Sequence, residues 1–182
     1  MFFTDRGNAH HGKGDVERAV ADFNEAIKLD AKADWAYLYR GIANLYSGSA
    51  PKALADVNQA AELDAKDAIN ALWVDIVGSR NGLPSRLSQA TSQVDMTKWP
   101  GPVLRLFLGQ LTPAAVLAAA DDPVSWRKAR QTCQANFYGG ILALRKNAND
   151  EAARLFQAAA SDCPKSLLEW RAATAELKAL GK

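Results

Sequence analysis

The chain has 182 residues and a formal net charge of +2, from 22 lysines and arginines against 20 acidic residues. The basic residues are scattered, with Arg127, Lys128 and Arg130 as the densest group, which argues against nucleic-acid binding. The chain contains no run of the about 18 apolar residues that a bilayer-spanning helix needs, so no transmembrane segment is predicted.

The first 66 residues contain one helix-turn-helix pattern twice. Gly7, Ala19, Phe23, Ala26 and the segment 29–32 recur 34 residues later as Gly41, Ala53, Val57, Ala60 and the segment 63–66. The small residues allow two helices to approach closely, and the larger side chain fills the space between successive hairpins. A period of 34 residues resembles the tetratricopeptide repeat (TPR). We therefore predict an all-α, right-handed TPR solenoid of antiparallel helix pairs, with an irregular helical insertion and a C-terminal capping helix.

The predicted domain organisation is a single TPR domain over residues 1–182. Its parts are two regular repeats (1–66), a degenerate third repeat (67–94), a helical insertion (95–123), a last repeat (124–164) and a capping helix (165–182). Helices are expected at 2–13, 15–29, 34–48, 50–63 and 67–79, followed by a polar helix that ends near residue 94. Further helices are expected at 103–108, 113–121 and 124–146, from 149 to an end at Cys163, and at 165–180.

The chain begins abruptly with Met1, Phe2 and Phe3 inside the first predicted helix. A longer protein would normally supply a preceding helix or a leader there, so we expect an N-terminal truncation. The apolar end that this leaves unpaired predicts a homodimer.

Beyond the repeats, the chain resembles the NlpI-type lipoproteins of Gram-negative bacteria over nearly its whole length. The segments that carry this resemblance are Leu72-Trp73, Trp99 to Phe107-Leu108-Gly109, Asn136-Phe137-Tyr138 with Gly140, and Glu169 to Leu180-Gly181. The chain departs from this pattern in having no lipidation cysteine or leader and in having Gly139 where a larger apolar residue is expected. The resemblance implies a periplasmic adaptor, often dimeric and anchored to the outer membrane, that brings cell-wall hydrolases together with a tail-specific protease.

The sequence predicts no enzyme activity, cofactor or metal site. The only histidines, His10 and His11, are adjacent, so on a helix they point about 100° apart and cannot chelate one ion from one face. The chain has no glycine-rich phosphate loop, no H-E-x-x-H helix and no G-x-S-x-G elbow. A protein that binds protein or peptide ligands is the better interpretation, with a cytosolic scaffold as the alternative to the periplasmic adaptor.

The two cysteines lie at opposite ends of the last predicted repeat. Cys133 is near the start of its first helix and Cys163 at the end of its second, and these ends meet in an antiparallel hairpin. A disulfide here would contribute about 3–4 kcal/mol and would indicate an oxidising compartment such as the periplasm. The alternative is a pair of buried free thiols, which would suit the cytosol.

The predicted binding site is a groove lined by the first helices of the repeats. Its residues are Thr4, Asn8, His11, Trp35, Leu38, Ile42, Leu45, Leu72 and Phe137. An apolar stripe with a polar end suits a peptide anchored by side-chain pockets. In the third and fourth repeats the same residues could instead belong to the core.

Overall fold

A computed structural model describes residues 2–182. Met1, where the sequence predicts a truncation, lies outside these residues. Residues 2–182 contain eleven helices and no strand. The helices are α1 (Phe2–Gly12), α2 (Val16–Leu29), α3 (Asp34–Tyr46), α4 (Ala50–Leu63), α5 (Ala68–Arg80), α6 (Leu87–Ala90), α7 (Gly101–Phe107), α8 (Pro113–Ala119), α9 (Ser125–Arg145), α10 (Asn149–Asp162) and α11 (Leu168–Ala179). They form two compact units, one ending at Asp95 and the other beginning at Met96.

The first unit is built from the hairpins α1–α2 and α3–α4, followed by α5 and α6. The glycine in each hairpin allows its two helices to touch. A Cβ placed on Gly7 would lie 2.8 Å from the Phe23 ring, and one on Gly41 would lie 3.0 Å from Val57 Cγ1. Phe23 and Val57 are fully buried, so the repeated residues form the core that their spacing predicts.

The third repeat differs from the prediction in its second helix, which does not extend to Val94. Helix α6 has four residues, whereas α2 and α4 have fourteen each. Directly after α6 the Thr91 hydroxyl donates to the Ser88 carbonyl at 2.9 Å, and the Ser92 hydroxyl donates to the Gln89 carbonyl at 2.8 Å. Such local hydrogen bonds favour turns over a continuing helix.

The second unit centres on the long hairpin α9–α10. Gly140 plays the part of Gly7 and Gly41, because a Cβ there would lie 2.5 Å from the Phe156 ring. Helices α7 and α8 lie against α9, and α11 packs on both α10 and α9. The insertion is packed structure, with Leu104 of α7 fully buried.

A buried polar network links three parts of the second unit. Trp99 Nε1 donates to Gln134 Oε1 at 2.6 Å, and Gln134 Nε2 donates to Glu169 Oε1 at 2.8 Å. The Tyr138 hydroxyl also donates to Glu169, at 3.2 Å. Burial raises the pKa of the Glu169 carboxyl, while the hydrogen bonds from Gln134 and Tyr138 act in the opposite direction. The network therefore holds α11 to α9 through a carboxyl group that burial pushes toward its neutral form.

Candidate functional site

The residues predicted to line a groove belong mostly to the core. Thr4, Leu38, Ile42, Leu45, Leu72 and Phe137 are buried, and Leu72 and Phe137 have no exposed surface. Asn8, His11 and Trp35 are half-buried. Phe137 also lies in the second unit, whereas the other eight lie in the first. The other apolar members of the set thus belong to the core, and Trp35 is the one that stays partly accessible. That these nine residues bind a peptide stays a prediction.

Helix α5 shows why the apolar residues are buried. It carries large apolar side chains on several faces, and Leu72, Trp73, Ile76 and Val77 are all within 1% of complete burial. Apolar side chains spread over several faces of a helix are typical of a largely buried helix. The predicted groove residue Leu72 thus lies in the core and not on a binding surface.

An arginine–aspartate pair joins the two helices in each of the first two repeats. Arg6 donates to Asp22 from Nε at 2.9 Å and from Nη2 at 2.5 Å. In the same way Arg40 donates to Asp56 from Nε at 3.0 Å and from Nη2 at 2.6 Å. The hydrogen bonds from Arg6 lower the pKa of the Asp22 carboxyl, because they favour its charged form.

Arg40 also bridges the junction between the first two repeats. Its Nη1 donates to Asn24 Oδ1 of the preceding hairpin at 2.6 Å, and Asn44 Nδ2 adds a bond to Asp56 Oδ2 at 3.1 Å. A cleft of about 280 Å³ remains at this junction, and Asn24, Arg40, Asn44, Lys52 and Asp56 all line it. The first junction is thus polar, and its Arg40 and Asp56 are partnered within the protein.

The corresponding junction between the second and third repeats has lost three of these five polar residues and keeps the other two as Asn58 and Arg86. Thirty-four residues after Arg40, Asn44 and Asp56 stand Val74, Gly78 and Ala90. None of the three has a side chain that can form an ion pair. The arginine–aspartate pair is therefore absent from the third repeat at the sequence positions that carry it in the first two.

A cleft of about 240 Å³ occupies this second junction. Its walls are Leu54 and Asn58 of α4, Val74 and Gly78 of α5, and Leu87 and Ala90 of α6, with Leu83 and Pro84 from the loop before α6. We call this site the α4/α5 cleft. The floor of the cleft is apolar because Val74 and Ala90 stand where the arginine–aspartate pair is found in the earlier repeats. Helix α6 is short and contributes only one helical turn to the wall.

Two neighbouring aspartate carboxylates line the α4/α5 cleft, and a third lies close to them. Asp64 and Asp67 line it, and one oxygen from each lies within 4.8 Å of an oxygen of Asp34. Asp67 caps α5 by accepting from the backbone N–H of Ile69 at 2.6 Å and of Asn70 at 3.3 Å. Across residues 2–182, no lysine or arginine side chain forms an ion pair with any of the three carboxylates.

The environment of Asp67 disfavours its charged form. Burial raises the pKa of the Asp67 carboxyl, the two backbone hydrogen bonds oppose this, and the nearby charges of Asp64 and Asp34 raise it further. The three carboxylates could each offer one oxygen to a metal ion. Surface acidic groups commonly occur without an ion, so this geometry alone assigns no metal.

The second unit has a separate cleft and a covalent link. The cleft, of about 350 Å³, is lined by Leu106 and Phe107 of α7, by Gly139 and Lys146 near α9, and by Glu151 of α10. A Cβ on Gly139 would lie 3.5 Å from Leu155 Cδ1, which is ordinary contact, so a larger residue there is not sterically excluded. Cys133 and Cys163 form a disulfide, with their Cα atoms 5.0 Å apart.

A family model described as TPR repeat matches residues 7–48. This match and the stacked helical hairpins support a TPR protein, and they confirm the predicted all-α TPR solenoid class. Proteins of this kind are generally non-catalytic scaffolds. Within residues 2–182, no helix combines the length and the apolar character that crossing a membrane requires. The resemblance to NlpI-type lipoproteins stays a prediction.

The α4/α5 cleft lies outside the predicted site, since none of the nine predicted groove residues lines it. A signal for it was nevertheless present in the sequence. Comparing polar positions at the 34-residue period, and not only the small and apolar ones, shows Arg40 and Asp56 replaced by Val74 and Ala90.

Proposed function

We propose that this protein is a non-catalytic adaptor that binds other proteins, and that the α4/α5 cleft is one of its contact sites. The observation that carries the proposal is the loss of the arginine–aspartate pair at one inter-repeat junction of a TPR scaffold. Repeat proteins use such stacked surfaces to bind partners. An apolar lining at a position that is otherwise ion-paired is the kind of surface that a partner can cover.

The size and lining of the cleft favour a protein side chain over a metabolite. Its volume of about 240 Å³ is below the range of roughly 300–1,000 Å³ that is typical of small-molecule sites. The titratable side chains that line it are Asp64, Asp67, Asp75 and Arg86. That set contains no histidine, cysteine or lysine, which are common nucleophiles or bases in covalent catalysis.

We further propose that the adaptor works in the bacterial cell envelope, facing the periplasm and attached to the outer membrane in its full-length form. The Cys133–Cys163 disulfide supports this location, because structural disulfides persist in oxidising compartments. The resemblance to NlpI-type lipoproteins adds a tail-specific protease and cell-wall hydrolases as partners, and a homodimer as the assembly. A cytosolic scaffold with free thiols is the second candidate.

The location is tested through the disulfide. Protein isolated from its native host under thiol-blocking conditions should have both cysteines protected from alkylation until a reductant is added. Alkylation without reductant would favour the cytosolic scaffold. In the purified protein, changing both cysteines to alanine should lower the free energy of unfolding by about 3–4 kcal/mol, because the unfolded chain loses a loop constraint.

The adaptor function is tested by capture. The immobilised full chain is exposed separately to envelope and cytosolic extracts of the host, and retained proteins are identified by mass spectrometry. Retention of a tail-specific protease or a cell-wall hydrolase from the envelope extract supports the envelope adaptor. Retention of cytosolic proteins alone supports the scaffold, and no specific retention from either extract contradicts the adaptor function.

A further inference from the structure

We infer that the α4/α5 cleft binds a basic segment of a partner protein, with one apolar side chain inserted in the cleft and an adjacent lysine or arginine placed against Asp64 and its neighbouring carboxylates. This inference rests on the proposed adaptor function and specifies the chemistry of the partner.

The apolar half of the site comes from the lining of the cleft. Leu54, Val74 and Ala90 present aliphatic groups where Val20, Arg40 and Asp56 stand at the first junction. Val74 and Ala90 are half-buried, so the cleft is accessible but shielded on several sides. A space of about 240 Å³ suits one large side chain, and inserting it removes apolar surface of both molecules from water.

The charged half of the site comes from the carboxylates. One carboxylate oxygen each from Asp34, Asp64 and Asp67 lies within 4.8 Å of the other two. None of the three has a cationic partner among residues 2–182, and Asp64 is exposed. Asp75 also lines the cleft, but its carboxylate is held by the Ser85 hydroxyl. Arg86 is the one basic residue of the lining. The imbalance favours a cationic ligand group, which would relieve the repulsion among the three carboxylates.

The two halves together select a segment of protein. An ion alone would leave the apolar floor exposed, and an apolar ligand alone would leave the carboxylates unpaired. A lysine or arginine next to leucine, phenylalanine or tryptophan satisfies both requirements at once. Complementary charge of this kind also speeds the encounter between partners.

Short peptides test this pairing directly. The probes are fluorescein-labelled peptides Gly-Lys-X-Lys-Gly, where X is leucine, phenylalanine, tryptophan or serine, and matched peptides with glutamate in place of lysine. Fluorescence anisotropy with the full chain should give at least tenfold tighter binding for an apolar X than for serine. The affinity should fall by a similar factor when glutamate replaces lysine in the peptide. Amide NMR signals of Ala71, Val74 and Gly78 should shift on binding.

Two substitutions and a control locate the site. The double change Val74→Arg with Ala90→Asp copies the pair Arg40–Asp56 into the third repeat, and it should weaken the best peptide at least tenfold by closing the cleft. Asp64→Asn removes one exposed charge and should weaken the lysine peptides about fivefold. Gly139→Ala lies in the second unit and should leave binding unchanged. Circular dichroism confirms that each variant is folded, and Asp64→Asn tests the site even if the double variant unfolds.

Several outcomes would overturn the inference. Equal affinity for apolar and serine peptides would remove the apolar half, and equal affinity for lysine and glutamate peptides would remove the charged half. Saturation of the same NMR signals by calcium chloride, with no response to any peptide, would make the carboxylates a cation site. A partner that the wild-type chain and the double variant retain equally well from extracts would leave the adaptor function intact and exclude this cleft as its contact.

Discussion

The two inter-repeat junctions of the first unit have similar cleft volumes, about 280 and 240 Å³, but differ in whether an ion pair lines the cleft. At the first, Arg40 pairs with Asp56 and reaches Asn24 of the preceding repeat. At the second, Val74 and Ala90 occupy the positions of that ion pair. The same helical scaffold thus makes one junction that is held by an internal ion pair and one where aliphatic side chains take the place of that pair.

The two junctions therefore differ in whether their side chains serve mainly the stability of the fold or the binding of a partner. A buried ion pair with good geometry fixes how two helices meet, but its groups have little capacity left for a ligand. An unpartnered apolar recess contributes less to the fold, yet it can gain free energy when a partner covers it. The sharpest tests therefore exchange the chemistry of the two junctions and compare stability.

Among exchanges between the two junctions, the largest effect is expected from Arg40→Val, which gives the first junction the residue found at the second. Asp56, with 6% of its surface exposed, would keep a bond from Asn44 but lose its cationic partner. Leaving a buried charge unpaired should lower the free energy of unfolding by about 3 kcal/mol. Urea unfolding followed by circular dichroism measures the change.

The matched control for this variant is Arg40→Val combined with Asp56→Ala. Removing both partners leaves no charge uncompensated, so most of the lost stability should return. The coupling energy from the double-mutant cycle should be about 2 kcal/mol. A single variant that costs less than about 1 kcal/mol would show that the ion pair does not distinguish the junctions.

A smaller effect is expected from alanine at a helix glycine, with opposite sign in the second and third repeats. At Gly41 the new Cβ would lie 3.0 Å from Val57 and 3.1 Å from Asp56, so Gly41→Ala should cost about 1–3 kcal/mol. At Gly78 the nearest group is Leu83 Cβ at 3.9 Å, so Gly78→Ala should gain about 0.5–1 kcal/mol from helix propensity. Thermal unfolding of both variants checks the pair. An equal loss of stability in Gly41→Ala and Gly78→Ala would mean that the third hairpin is packed as closely as the second.

The sequence predicted the parts of the fold that follow from a repeated packing rule. The 34-residue period located the hairpins of the first two repeats, because Gly7 and Gly41 are needed wherever two helices touch. The end of α6 was not predicted, since whether Thr91 and Ser92 continue a helix or bond to the preceding turn depends on the tertiary surroundings.

The candidate site was not predicted, for a related reason. First-helix positions such as Leu38 and Leu72 carry the apolar pattern of a groove and of a core equally well, and burial alone distinguishes them. The α4/α5 cleft depends on what is missing from the third repeat. A pattern of retained residues does not display that loss, whereas a comparison of Arg40 with Val74 does.

The smallest expected effect is a difference in pH dependence between the ion-paired first repeat and the carboxylates of the cleft. Arg6 lowers the pKa of Asp22, so the stability from this pair is present above the usual aspartate pKa and is lost as the pH falls through the lowered value. Burial raises the pKa of Asp67, so its contribution is present below the usual pKa and is lost as the pH rises through the raised value.

Two variants isolate these opposite slopes. Arg6→Met should destabilise the protein at neutral pH, and its difference from wild type should shrink in acid, where Asp22 is protonated in both proteins. Asp67→Asn keeps an N-cap for α5 and removes the charge, so its stability relative to wild type should rise from acid to neutral pH. Urea midpoints between pH 3 and pH 7 provide the measurement. If stability relative to wild type changed with pH in the same direction for both variants, the cleft carboxylates, like Asp22, would already be stabilised within the fold. The case for a cationic partner would then lose its electrostatic basis.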